Sequence, residues 1–348
     1  MSEISLTYGD LTPEALEEAA RHPHQITSLD CTGNNISGDY CKEMVEKYIS
    51  KMTNLEALDL KDNKIGPQGA TFLFEALPKY CPKLTYLDIN ENSIQDESMY
   101  SLALLLQSMP IVTLNVVTNH ITPRGLPTLC DGINSSQTIT ELSLAFNLLG
   151  DEGAAIVAET LSAHPTLRTL DISDNRISDA GAIAIAANFI LSKECKIVSL
   201  NLSVNQIGDV GFQAIAEALT KYGNRHLAHL DLGCNDAVGD EGRTALVKSL
   251  LYAKYIRMID FTSCNLSDDD VRHIISAIES KRSSLVSIEW FNNPRISLDL
   301  ETQLFHVISQ VEEFEAPAKT GVPSNVIAAV GLSATLVALV LYKVRRSA

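Results

Sequence analysis

Apolar and polar positions alternate in short bursts along most of the chain. The phrase L-x-x-L-x-L-x-x-N runs through Leu55, Leu58, Leu60 and Asn63, and again through Leu84, Leu87, Ile89 and Asn92. Further copies begin at Ile26, Ile111, Ile139, Leu167, Ile197, Leu227, Ile256 and Leu285, which makes ten copies at steps of 27 to 30 residues. The last position of the phrase holds Asn34, Asn63, Asn92, Asn119, Asn147, Asn175, Asn205, Asn235 and Asn293, with Cys264 as the one replacement. Alternation at period 2 predicts a short strand with one buried face. The long connection between copies makes successive strands parallel. Stacked copies would line up the Asn side chains as a ladder that bonds buried backbone groups where the chain turns away from the sheet.

A loop follows each phrase, as in Gly150-Asp151-Glu152-Gly153, Ser178-Asp179-Ala180-Gly181 and Gly208-Asp209-Val210-Gly211. Asp and Ser there are expected to accept bonds from the free N–H groups that open a helix, and early acids suit its dipole. The glycines are expected to let helix and strand approach closely. In the sixth copy Ala182, Ile183, Ala186, Phe189 and Ile190 then recur at helical spacing. One such unit cannot cover its own apolar face, so its neighbours must, and the ends of the array need caps. Residues 13–21 predict a short helix with Thr12 as N-cap and Pro13 in its first turn. A closing helix is predicted from the stripe Leu300, Leu304, Val307, Ile308, Val311 and Phe314.

Several copies continue as N-x-I-x-x-x-G: Asn63-Lys64-Ile65 with Gly69, Asn175-Arg176-Ile177 with Gly181, and Asn205-Gln206-Ile207 with Gly211. With the long repeat, this resembles leucine-rich repeats of the ribonuclease-inhibitor class over roughly residues 26–311. The resemblance implies an α/β solenoid, a horseshoe with a parallel inner sheet and outer helices. The expected divisions are an N-terminal cap (1–25), the solenoid (26–314), a linker (315–325), a transmembrane helix (326–342) and a basic tail (343–348).

The span from Val326 to Tyr342 holds 17 residues without a charge. As a helix it would be ~26 Å long, at the short end of what crosses a bilayer. A buried solenoid helix and a lipid-anchor signal whose tail is removed are the competing readings. Gly331 and the uninterrupted apolar perimeter favour lipid over a solenoid helix. Lys343, Arg345 and Arg346 at the end argue against a removed signal. Met1 to Asp10 shows no apolar core of a signal peptide. The chain resembles a tail-anchored protein, which implies a single-pass intracellular membrane protein with its repeats in the cytosol. A short, modestly apolar span with basic residues after it resembles anchors of the mitochondrial outer membrane more than those of the endoplasmic reticulum.

Composition narrows the partners. The 348 residues are 45% hydrophobic and 20% charged, which excludes disorder for most of the chain. Seven cysteines without a CxxC indicate neither a disulfide framework nor a zinc ribbon, and point to a reducing compartment. The net charge is −16, and no Asp or Glu lies beyond Glu315, so the repeats carry more than the whole excess. Such a body repels nucleic acid and attracts basic proteins.

The residue between the second and third apolar positions is expected on the concave side: Asp30, Asp59, Asp88, Asn115, Ser143, Asp171, Asn201, Asp231, Asp260 and Glu289. Like charges side by side on a sheet cost stability. One reading is a strip for a basic protein partner. The other is local bonding to backbone or to nearby Thr32, Ser173 and Thr262. Phe146 and Phe291, at outward positions, are candidate anchors, whereas Trp290 points into the core. Asp30, Asp59, Asp88, Phe146, Asp171, Asp231, Asp260, Glu289 and Phe291 are thus the candidate partner-binding residues.

No HExxH, GxSxG or GxxxxGK[ST] motif occurs, and the eight histidines are scattered among copies. No enzyme, cofactor, metal or small-molecule substrate is expected. Cys31 and Cys264 are read as structural, and a reactive thiol at Cys130 lacks a paired His. Two other readings belong to different classes. Arrays of this class also resemble the GTPase-activating protein of the nuclear-transport GTPase, which implies a loop residue such as Arg124 or Arg176 near a phosphate. Eukaryotic-looking repeats with a tail anchor also occur in bacterial effectors delivered to host membranes.

Overall fold

The computed structural model describes residues 2–221, 223–280 and 283–314. The linker, apolar span and basic tail expected beyond them lie outside the described residues. Strands β1 (Ser2–Ser5), β2 (Ile26–Asp30), β3 (Ala57–Asp59), β4 (Tyr86–Asp88), β5 (Thr113–Asn115), β6 (Glu141–Ser143), β7 (Thr169–Asp171), β8 (Ser199–Asn201), β9 (His229–Asp231), β10 (Met258–Asp260) and β11 (Ser287–Glu289) form one parallel sheet in chain order. The central residue of each repeat strand pairs in register, Leu29 with Leu58, Leu58 with Leu87 and on to Ile259 with Ile288. All of these central residues are buried.

The helices are α1 (Pro13–Ala19), α2 (Gly38–Lys47), α3 (Gly66–Tyr80), α4 (Met99–Ser108), α5 (Leu126–Ser135), α6 (Gly150–Leu161), α7 (Asp179–Ile185), α8 (Asp209–Thr220), α9 (Asp240–Ser249), α10 (Asp268–Glu279) and α11 (Leu298–Phe314). They pack on the sheet through one continuous apolar core. In α7 the buried stripe is Ala182, Ile185, Ala186, Phe189 and Ile190, while Ile183, expected inside, is 45% exposed. The helix passes into a π turn at Ala186–Ile190, which shifts the register of its buried face.

The N-terminal cap holds one more strand than expected. Thr12 caps α1 as predicted, its hydroxyl accepting the Ala15 N–H at 3.1 Å. Upstream, β1 pairs with β2, and Leu6 N and Tyr8 N donate to Asp30 O and Thr32 O at 2.8 and 2.9 Å. The open edge of β2 offers unpaired backbone groups to any extended segment, so no repeat phrase is needed there. Ile4 and Leu6 supply enough apolar surface to pack against the core.

The Asn ladder forms. Asn63 Oδ1 accepts from Asn34 N and Ile36 N of the preceding copy at 3.0 and 2.9 Å, and its Nδ2 donates to Cys31 O and Leu60 O at 3.0 and 2.8 Å. Asn119, Asn147 and Asn205 repeat this arrangement. Cys264 stands in, its thiol donating to Leu232 O at 3.3 Å. The residue before each ladder position has positive φ, from Gly33 at 71° through Phe146 at 54° to Asn292 at 58°. Thr118, at φ 54°, and Val204, at φ 56°, are the β-branched members. Left-handed backbone costs an L-residue about 1–2 kcal/mol. Val204→Gly is therefore expected to raise stability by about 1 kcal/mol, read as a higher midpoint in thermal or urea unfolding. An unchanged or lower midpoint would show that the half-buried Val204 side chain contributes more than the strain removes.

The expected helix caps are present but reach across copies. Asp151, in α6, accepts Ser178 N, Ser178 Oγ and Gly181 N of the next copy at 2.7, 2.6 and 2.9 Å. Asp179 accepts Gly208 N and Gly211 N, and Asp209 accepts Gly239 N and Gly242 N. Each acid thus caps the following helix. The recurrent glycine makes room for that carboxylate: a Cβ on Gly181 would lie 2.7 Å from Asp151 Oδ1 and 3.1 Å from Ala154 Cβ. The close approach is between neighbouring helix starts, where the sequence had suggested helix against strand.

Candidate functional site

The row of candidate residues lies on the inner face of the sheet. Pairing sets Asp30 beside Asp59, Asp59 beside Asp88, Asp231 beside Asp260, and Asp260 beside Glu289. Asn115 and Ser143 break the row in the middle, and Asp171 sits between Ser143 and Asn201. Each of these acids in β2, β3, β4, β7, β9 and β10 turns one oxygen to the N–H two residues on, at 3.0, 2.9, 3.0, 2.9, 2.9 and 2.6 Å respectively. The local-bonding reading therefore accounts for one oxygen of each.

The remaining bonds differ from acid to acid. Asp88 Oδ2 is saturated by Tyr86 Oη, Asn90 Nδ2 and Asn115 Nδ2 at 3.2, 3.2 and 3.0 Å. Burial pushes its carboxyl up to about 6 against those bonds. Asp171 receives the Ser173 hydroxyl at 2.7 Å, and burial raises it too. Asp59 is raised by burial and by Asp30 beside it, with the Thr32 hydroxyl at 3.2 Å opposing. Asp231 is pushed well above the usual carboxylate range by burial and by the neighbouring Asp260. Burial raises Asp260 as well. A carboxyl raised by folding makes its ionisation unfavourable above the ordinary range, so at neutral pH the row carries a cost that a cation placed against it would relieve.

The two aromatic candidates are not brought together. Phe291 follows β11 at the inner face and is 70% exposed. Phe146 lies five copies away in a left-handed turn, half-buried, its N–H bonded to Ser173 O. Trp290 is partly buried against the core. Two features had no signal in the repeat phrase: the Tyr86 hydroxyl that ties Asp88 to Asn115, and Gly233, which leaves the row beside Asp231 without a side chain. The glycine stood out only as the smallest residue at its position in the copies.

Other chemistry is accounted for structurally. His164 Nδ1 accepts from Thr166 N and Leu167 N at 3.3 and 3.0 Å while its Nε2 meets Ile133 O at 3.0 Å, and burial lowers its basicity. All seven cysteines are buried and free, and burial pushes the Cys130 thiol up to about 11, far from a reactive thiolate. Arg124 sits at an open concavity of about 430 Å³ lined by Gln95, Asp96, Glu97, His120 and Thr122, and its guanidinium bonds Glu97 at 3.1 Å. No group of three or more His, Cys, Asp or Glu suited to a metal occurs among the described residues. No helix among them is long and apolar enough to cross a membrane.

Comparison with known proteins agrees with this architecture. A family model described as "Leucine Rich repeat" matches residues 51–74, 80–103, 135–155, 163–186, 193–216 and 223–247. The chain is similar to NACHT, LRR and PYD domains-containing protein 12 of Mus musculus, 30% identical over 62% of this chain and 20% of that protein. It is also similar to ribonuclease inhibitor of Sus scrofa, 26% identical over 82% of this chain and 63% of that protein. The chain thus spans less than two thirds of either relative. A crystal structure of the yeast Rad7 and Elc1 complex shares the fold over 85% of this chain at 15% identity, with a TM-score of 0.52.

Proposed function

We propose that this chain, which carries leucine-rich repeats and is similar to ribonuclease inhibitors, is a non-enzymatic protein-binding module that takes a basic partner on its concave face. The observation that carries the reading is the carboxylate row, in which burial and a neighbouring carboxylate raise the pKa of Asp59 and Asp231, and which Asn115 and Ser143 interrupt between its two acidic ends. A partner with basic side chains spaced to meet both ends gains from relief of that repulsion, and complementary charge speeds and orients its approach. Phe291 is the proposed aromatic anchor at the C-terminal end, with Phe146 at the middle.

The proposal includes tethering through residues 326–342, with the repeats in the cytosol, at the mitochondrial outer membrane in preference to the endoplasmic reticulum. It is supported by the uncharged sequence and the basic residues after it. Attachment raises the concentration of the module near other membrane proteins without any new contact.

Proximity labelling in cells tests both parts. Three chains are compared: the full chain, the chain with Asp30, Asp59 and Asp260 changed to Lys, and the chain ended at Pro317. The row predicts that charge reversal removes a defined set of labelled neighbours. The anchor predicts that truncation moves labelling off membranes. Identical neighbours after reversal would refute the concave reading, and unchanged membrane labelling after truncation would refute the anchor.

A further inference from the structure

Each helix runs back against the strands, so the stretches from helix end to strand start form one edge of the solenoid and the helix starts form the other. From β7 to β10 the two edges differ in charge. The strand-start edge carries Arg168, Lys196, Lys221, Arg225, Lys254 and Arg257, with Lys193 and Glu194 side by side as a pair of opposite sign. The opposite edge of the same copies carries Asp209, Asp236, Asp240, Asp268 and Asp269 against Arg176. A helix dipole favours cations only within about the last turn. Arg168, Lys196, Arg225, Lys254 and Arg257 lie five to eight residues past the helix ends at Leu161, Ile190, Thr220 and Ser249, so the dipole does not account for them. Lys196 Nζ lies 3.5 Å from His226 Nε2, and burial, Lys196 and Arg168 lower the basicity of that ring. Among the described residues, Arg168, Lys196, Lys221 and Arg225 make no ion pair with a carboxylate. Like charges gathered on one edge repel each other, and an anionic surface relieves them.

The same edge gives off the C-terminal part of the chain. Ser297 N, at the head of α11, donates to Asp268 Oδ1, at the head of α10, at 2.6 Å, so the two helices run side by side in one direction. The end of α11 at Phe314 therefore emerges on the strand-start edge. Residues 315–325 span at most ~40 Å before the uncharged residues 326–342 begin. Strands stand ~4.8 Å apart, so β8 to β10 lie within ~15 Å of β11 along the sheet. We propose that this basic edge, centred on Lys196, Lys221, Arg225 and Lys254, rests on the anionic headgroups of the membrane in which residues 326–342 are anchored. The inference rests on the tethering reading above and adds how the solenoid stands: strand-start edge on the lipid, acidic edge toward the cytosol, concave face open sideways to a partner. The acids of this side are Glu194 and, in the sequence at the exit of the chain, Glu312, Glu313 and Glu315; the cations exceed them. An anionic surface repels the rest of this negatively charged body, so the polarity of the two edges selects one orientation. The contact acts over about a Debye length, which makes it sensitive to salt.

The test mixes the full chain with vesicles of phosphatidylcholine, alone or with about 30% phosphatidylserine. Flotation reads attachment, and brief acetylation followed by mass spectrometry reads which lysines are covered. Lys196, Lys221 and Lys254 are expected to label at least about threefold more slowly on the anionic vesicles than on the neutral ones. Lys64, exposed on the opposite edge, should label equally on both. Salt at about 0.5 M should abolish the difference. Lys221→Glu combined with Arg225→Glu should abolish it at Lys196 and Lys254 while flotation persists. Equal labelling on both vesicles with flotation intact overturns the edge contact and leaves the tether. Flotation with phosphatidylserine alone, lost in salt and in the double variant, supports the edge and overturns the tether. Flotation with neither overturns both. If soluble polyglutamate protects these lysines and the vesicles do not, the edge belongs to an acidic protein and the membrane proposal falls.

Discussion

Arg243→Ala is expected to cost about 3–5 kcal/mol, because it strips the partner from a buried carboxylate. Arg243 in α9 and Asp270 in α10 are each 1% exposed, and Arg243 Nε donates to Asp270 Oδ2 at 2.7 Å. The same guanidinium bonds Asp240, which in turn holds Arg295 at 2.6 Å. Asp270 also accepts Ser267 N and Ser267 Oγ at 2.9 and 2.7 Å and so caps α10. Burial alone would raise its pKa, but the bonds from Ser267 and Arg243 outweigh it and hold the carboxyl below the usual range. A carboxyl depressed on folding stabilises the protein above its unfolded pKa, and that contribution is lost as pH falls through the folded value. Urea unfolding of wild type and Arg243→Ala should therefore differ most near neutral pH and converge in acid. Adding Asp270→Asn should recover part of the loss by removing the stranded charge. Equal midpoints for wild type and Arg243→Ala at pH 7 would show that the pair contributes nothing.

The second large effect is expected at the ladder. Asn119 is fully buried; its Oδ1 accepts Asn92 N and Ile94 N at 3.1 and 3.2 Å, and its Nδ2 donates to Ile89 O and Val117 O at 2.9 and 3.1 Å. Asn119→Ala strands the Asn92 and Ile94 amides in a dry interior, while Ile89 O keeps Asn92 Nδ2 and Val117 O keeps Glu91 N. At about 1–3 kcal/mol for each group that finds no water, the loss should be on the order of 3 kcal/mol or more. Amide hydrogen exchange gives the sharper check. Protection should fall first at Asn92 and Ile94, in the copy before the substitution. Faster exchange confined to the copy after it would contradict the bonding described.

The stack of strands, the ladder and the closing helix were legible because each follows from a period written into every copy. What escaped was whatever depends on a neighbour and not on the copy itself. Asp151 and Asp179 read as caps of their own helices, since spacing along the chain cannot show that the next helix start lies nearer. Strand β1 escaped because Ile4 and Leu6 alone carry too little pattern. At the candidate face, the alternation of positions gave the acidic row directly. It could not tell that Asp88 is saturated by Tyr86 and Asn115 while Asp231 and Asp260 stand beside an empty position, because that difference lies in residues on adjoining strands.

The acid caps and the ladder point in opposite directions along the chain. Asp151, Asp179 and Asp209 each serve the copy that comes later, whereas Asn175 and Asn205 serve the copy that came before. The starts of α7, α8 and α9 thus each rest on a carboxylate that precedes them in the chain, while Asn175 and Asn205 close off amides of the copy before. Shortening the array has two distinct outcomes: trimming from the front frays a helix, while trimming from the back wets a turn.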